Sequence, residues 1–129
     1  MKNMANKKEY LLNIKDNEYK LLINIENQFV IFKIEQLNNL SLYYYKKKYE
    51  LKQINDILNI DNKIDNFSEI IELFDKAYLN KKLSINVNNK NINLNIKLQI
   101  SSKEYESIII LNKKEKHIND GFEIIINEL

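Results

Sequence analysis

A chain of 129 residues, 44% apolar and 29% charged with a formal net charge of +2, is long enough for one domain with a buried core. The near-balance of 20 basic against 18 acidic residues excludes disorder driven by net charge. It also argues against a dedicated nucleic-acid binder, whose basic excess is large. The chain has no cysteine and one histidine, which excludes disulfides and the usual zinc ligand sets.

The usage is skewed: 22 Ile, 22 Asn and 20 Lys make up about half the chain, and every basic residue is Lys. Ile, Asn, Lys and Tyr have A/T-rich codons, so the composition points to an A/T-rich genome. Much of the Lys and Asn is therefore discounted as a functional signal. The missing Arg bears on function, because Arg is the bidentate reader of phosphate and guanine.

Residues 1–8 are polar and are expected to form a disordered tail with no apolar core for a signal peptide. "EYLLNI" (9–14) reads as a strand, and "KDN" (15–17) as a turn. "EYKLLINI" (18–25) places Tyr19, Leu21, Ile23 and Ile25 on one face. After a turn at "ENQ" (26–28), "FVIFKIEQL" (29–37) alternates Val30, Phe32 and Ile34 against Ile31, Lys33 and Glu35, which predicts a hairpin. "NN" at 38–39 breaks the pattern.

The period then changes. In "YELKQINDILNI" (49–60), Leu51, Ile54, Ile57 and Leu58 fall at helical offsets. "DNKIDN" (61–66) reads as a loop. "FSEIIELFDKAYLNKK" (67–82) is the clearest helix, with Asn66 as N-cap, Glu69 completing a capping box, and Lys81 and Lys82 at its negative end. Its apolar face needs a partner, and a sheet is the only large one the chain offers.

Period two returns in "LSINV" (83–87). The turn "NNKN" (88–91) lacks glycine and is expected to use a left-handed Asn. In "INLNIKLQI" (92–100) the Ile and Leu residues alternate with polar ones, the signature of a half-buried antiparallel strand. "EYESIIIL" (104–111) follows an "SSK" turn. The segment 112–129 fits either period; Phe122, Ile125, Ile126 and Leu129 make a helix face, and a helix is preferred there. Residues 9–111 form one domain.

Catalytic constellations are thin. His117 lies in a charged segment and reads as a surface residue. Gly121 is the single glycine, so P-loop and dinucleotide fingerprints are absent. Glu69, Glu72 and Asp75 lie opposite the apolar face of their helix, where solvated carboxylates belong. No catalytic residue, metal ligand or cofactor is nominated.

The most unusual stretch is "SLYYYKKKY" (41–49). As a single-stranded nucleic-acid platform, Tyr43, Tyr44 and Tyr45 would stack bases while Lys46, Lys47 and Lys48 tracked phosphates. As a protein contact, the tyrosines would anchor an interface. As structure, Tyr44 faces one side of a strand, Tyr43 and Tyr45 the other, and the lysines lead into the first helix. The structural reading is preferred, and nucleic acid is disfavoured by Glu50, Asp56, Asp61 and Asp65 close by.

Strand into helix at "SLYYYKKKYELKQINDIL", helix into strand at "FSEIIELFDKAYLNKKLSINV", and late strands at "INLNIKLQI" and "YESIIIL" give a characteristic order. It resembles the globular head domain shared by centriolar cartwheel proteins and the scaffold proteins of DNA end joining. That resemblance covers roughly residues 10–111 and rests on element order and apolar pattern. It implies a small β-sandwich with an inserted helix pair, followed by a coiled coil, with head and coil both dimerising. The chain departs from the family in showing no sustained heptad stalk after Leu111, and no functional residue is carried over.

The sequence therefore predicts an α+β fold, an antiparallel sheet or small sandwich of six or seven strands with a two-helix insertion packed on it. Its expected function is a non-catalytic protein-interaction or assembly module, with a homodimer as the form of self-association and an unidentified protein as partner. The candidate interaction residues are Tyr43, Tyr44, Tyr45, Lys46, Lys47, Lys48, Phe122, Ile125, Ile126 and Leu129. The alternatives are single-stranded nucleic-acid binding through the Tyr/Lys surface and an enzyme built from carboxylates and lysine. No apolar run approaches the roughly 18 residues that span a bilayer, so a soluble cytoplasmic protein is expected.

Overall fold

The computed structural model describes residues 7–37, 42–61 and 63–115. Seven strands form one sheet: β1 (Lys7–Ile14), β2 (Asn17–Glu26), β3 (Phe29–Gln36), β4 (Tyr43–Tyr49), β5 (Leu83–Val87), β6 (Asn91–Ile100) and β7 (Lys103–Glu115). Two helices, α1 (Leu51–Leu58) and α2 (Phe67–Leu79), lie between β4 and β5 in the chain. The spatial order is β1-β2-β3-β4-β7-β6-β5, and every neighbouring pair is antiparallel. The two edges, β1 and β5, approach each other, so the sheet is rolled nearly into a barrel.

Alternation fills the inside. Leu21 and Ile23 of β2, Val30, Phe32 and Ile34 of β3, Ile92, Leu94 and Ile96 of β6, and Ile109 and Leu111 of β7 are fully buried. Each faces inward because strand side chains alternate with period two. The helices close this core: α1 packs on β4 and β7, and α2 on β5 and β6. Ile54 and Leu58 of α1, and Ile70 and Phe74 of α2, are the residues they bury most completely. The Phe32 ring sits 5.4 Å from Phe74 and 6.0 Å from Tyr49, tying sheet to helix layer.

The expected α+β class, the antiparallel sheet and the two-helix insertion are all present. Four local expectations are corrected. Lys7 and Lys8 belong to β1 rather than to a tail, because their backbones complete the ladder opposite Asn24 and Ile23. Lys46, Lys47 and Lys48 lie within β4, not in the lead-in to α1, which starts after Glu50. No residue of 88–91 is left-handed. The side chain of Asn88 instead accepts from the backbone N–H groups of Lys90 and Asn91, an Asx turn that needs no positive φ. Finally, β7 continues through Asn112–Glu115, which pair with β4, so the C-terminal segment does not begin as a helix at 112. The remainder of that segment lies outside the described residues.

Candidate interaction surface

The Tyr/Lys stretch lies on a central strand. β4 pairs with β3 along Tyr45–Tyr49 and with β7 along Tyr43–Lys46. Its side chains therefore divide between the two faces of the sheet. Tyr45 opposes Ile34 and Tyr49 opposes Val30, both core residues. Tyr45 packs against the core, and burial pushes its phenol above its ordinary pKa, helped by the charge of Tyr19. Tyr49 is buried and donates from its hydroxyl to the carbonyl of Ile110 at 3.0 Å. That bond spans β4 to β7 where their ladder has ended. Lys47 opposes Phe32 in register but is exposed. A lysine on a core-facing position reaches water by extending its stem. Tyr43 is exposed, with the Lys113 ammonium 4.1 Å from its ring centroid.

The opposite, outward face carries Tyr44, Lys46 and Lys48. Register adds neighbours that the sequence stretch did not include. Lys33 of β3 stands directly opposite Lys46, and Lys114 of β7 directly opposite Tyr44. The Lys33 ammonium lies 5.0 Å from the Tyr44 ring centroid, and that of Lys48 lies 4.5 Å from the Phe29 centroid. One carboxylate approaches: Glu35, 3.8 Å from Lys33. Among the described residues Lys46, Lys48 and Lys114 make no ion pair. The outward face of β4, with the neighbouring parts of β3 and the C-terminal end of β7, is thus basic, with its aromatic rings covered by ammonium groups. Alternation in "FVIFK" already turns Lys33 outward, so that residue was within reach of the sequence. Lys114 was not, because its place depends on β7 extending to pair with β4.

The outward face of β7 supplies the other exposed feature. Ile108 and Ile110 alternate with buried Ser107, Ile109 and Leu111 and are 52% and 45% exposed. Along the strand they are preceded on the same face by Glu104 and Glu106 and followed by Asn112 and Lys114. Phe122, Ile125, Ile126 and Leu129, like His117 and Gly121, lie outside the described residues.

The carboxylates of α2 do not converge. Asn66 accepts from the Glu69 backbone N–H at 3.1 Å, and the Glu69 carboxylate turns back to Asp65 and Asn66, so Glu69 serves the helix start. Glu72 is exposed. Asp75 is turned toward β1, accepting from Tyr10 at 3.3 Å and standing 3.5 Å from the Lys8 ammonium. No group of three or more potential metal ligands occurs among the described residues. A groove of about 580 Å³ between β1, β5 and the end of α2 has Lys81 as its one charged lining residue. No helix among the described residues is long and apolar enough to cross a membrane.

No protein-family model and no curated protein matches the sequence. Among solved structures, the head domain of human CCDC61 matches with a TM-score of 0.63, over 88% of this chain and 100% of that one, at 8% sequence identity. This chain has the head-domain fold. The resemblance read from element order therefore holds at the level of architecture. The Tyr/Lys stretch is divided between core and surface because both edges of β4 are paired within the sheet, with one face on the core and the other toward solvent.

Proposed function

We propose that the domain is a non-catalytic protein-interaction and assembly module that self-associates. The carrying observation is the outward face of β7, where exposed Ile108 and Ile110 lie between an acidic end at Glu104 and a basic end at Lys114, with Glu106 already paired to Lys97 of β6 at 3.5 Å. Such a strip is complementary to itself. If two copies meet about a two-fold axis crossing β7 at Ile109, Ile108 of one copy covers Ile110 of the other, and Glu104 meets Lys114. Neighbouring Asn93 and Asn95 of β6 add no charge to that centre. A closed two-fold pairing of one patch with itself is the commonest way that soluble chains assemble. The likeness to a head domain supports the assembly class as well.

Sedimentation across a concentration series tests the self-association. A concentration-dependent dimer is expected, shifted to monomer by Ile108→Asn with Ile110→Asn, a change that copies the asparagines already on this face. A strict monomer at the highest concentrations, or a dimer indifferent to the double variant, would overturn the β7 interface.

A further inference from the structure

The outward lysines of β3 and β4, Lys33, Lys46 and Lys48, take no part in that pairing, and their arrangement is unusual. Lys33 and Lys46 are placed directly opposite each other, a like-charge cross-strand pair that costs stability. Within the described residues only Glu35 relieves it. The Lys48 ammonium is steadied over the Phe29 ring, and that of Lys33 lies over Tyr44 as well as beside Glu35. Three lysines with one carboxylate among them leave a net positive charge on this face, which favours an anionic partner.

We infer that this face docks an extended acidic segment of a protein partner. Lys46 and Lys48 are two residues apart on one strand face, a separation of roughly 6.7 Å. Carboxylates on alternate residues of an extended peptide have the same repeat, so a segment with acidic residues at every second position matches the array. Lys33 flanks that line on β3, directly opposite Lys46. A nucleic acid fits less well. The outward rings, Tyr44 and Phe29, have ammonium groups over them and offer no clear stacking face, while Tyr45 is turned into the core. Base stacking on open rings is what single-strand binders depend on. Farther along β7, Glu104 and Glu106 interrupt any phosphate track.

This inference rests on reading the domain as a protein-interaction module, and it fails separately from self-association. The probe is a fluorescein-labelled peptide of alternating Glu and Ser, compared with a Lys–Ser peptide and an oligothymidylate of equal charge number. Fluorescence anisotropy is expected to show binding of the Glu–Ser peptide alone, weakening as salt rises. The K46E/K48E variant should bind about tenfold more weakly, since two attractive surface pairs become repulsive. The K52E/K76E variant, changed on the helices, should bind as the parent does. Circular dichroism checks that each variant is folded, and K46Q/K48Q replaces the charge-reversed variant if that one is not. Equal or tighter binding of the oligothymidylate, no binding of the acidic peptide at low salt, or the same loss in K52E/K76E would overturn the inference. Sedimentation of K46E/K48E is expected to match the parent, which separates the acidic-partner site from the β7 interface.

Discussion

At the scale of single residues, polar side chains do structural work that the periodicity does not announce. Asn55 of α1 accepts from the backbone N–H of Ile64 at 2.7 Å and donates to the carbonyls of Ile64 and Leu51 at 3.0 and 3.2 Å. It thereby pins a loop to a helix and lets Ile64 be buried outside any regular element. Asn55→Ala leaves the Ile64 N–H without its partner and should lower unfolding free energy by about 2 kcal/mol in urea titrations. The tyrosines act through protonation. The phenol of Tyr10 is held well above its ordinary pKa by burial, then by the charge and hydrogen bond of Asp75. Burial also raises Tyr45 and Tyr49. The folded state therefore keeps phenolic protons that the unfolded chain releases, and this contribution is fully present below the unfolded pKa. Stability should fall as pH rises beyond about 10, the ordinary tyrosine value, because the unfolded chain then binds fewer protons. Urea midpoints measured on either side of that pH check the slope. Tyr49→Phe, which cannot titrate, should flatten it, and an unchanged slope would remove Tyr49 from the account.

At the scale of elements, the near-absence of glycine leaves a mark on the turns. Lys15, Asn27, Gln28, Asn59, Lys81, Ser101 and Ser102 all have positive φ, and none is glycine. Asn27–Gln28 and Ser101–Ser102 are two-residue hairpin loops with both residues left-handed, the geometry that matches strand twist. α2 ends in a Schellman motif: Lys82 N–H bonds to Ala77 C=O at 2.7 Å and Lys81 N–H to Tyr78 C=O at 3.0 Å. Lys81 holds the left-handed position there with φ of 60°. A non-glycine residue gives up energy in that conformation, partly offset by the lower entropy of its unfolded state. Lys81→Gly and Gln28→Gly should each stabilise by about 0.5–1 kcal/mol, measurable as a raised thermal midpoint. At the other end of α2, Asn66→Ala removes the bond to Glu69 N–H and should cost about 1 kcal/mol.

At the scale of the whole molecule, stability depends on the helix pair plugging the rolled sheet. Phe74 is fully buried and its ring meets Phe32, the residue that also meets Tyr49. Truncation there detaches the helix layer from the strands. Phe74→Ala should cost about 3–5 kcal/mol, the range for deleting a buried aromatic ring. Chemical denaturation gives that figure, and a cost below about 1 kcal/mol would mean that the helices contribute little to the core.

Much of this architecture is legible in the sequence because period two and period 3.6 record burial directly. "INLNIKLQI" could only be a half-buried strand, and Ile70, Ile71, Phe74 and Ala77 only a helix face; all are placed as their spacing requires. The order of elements went further and indicated the head-domain architecture. The tertiary structure decided the rest. "SLYYYKKKY" does not state that its strand is internal, since that depends on β7 returning to pair with β4 across about 70 residues. Local alternation could divide Tyr44 from Tyr43 and Tyr45. Only register could bring Lys33 opposite Lys46 and set Lys114 opposite Tyr44, gathering lysines of three strands on one face.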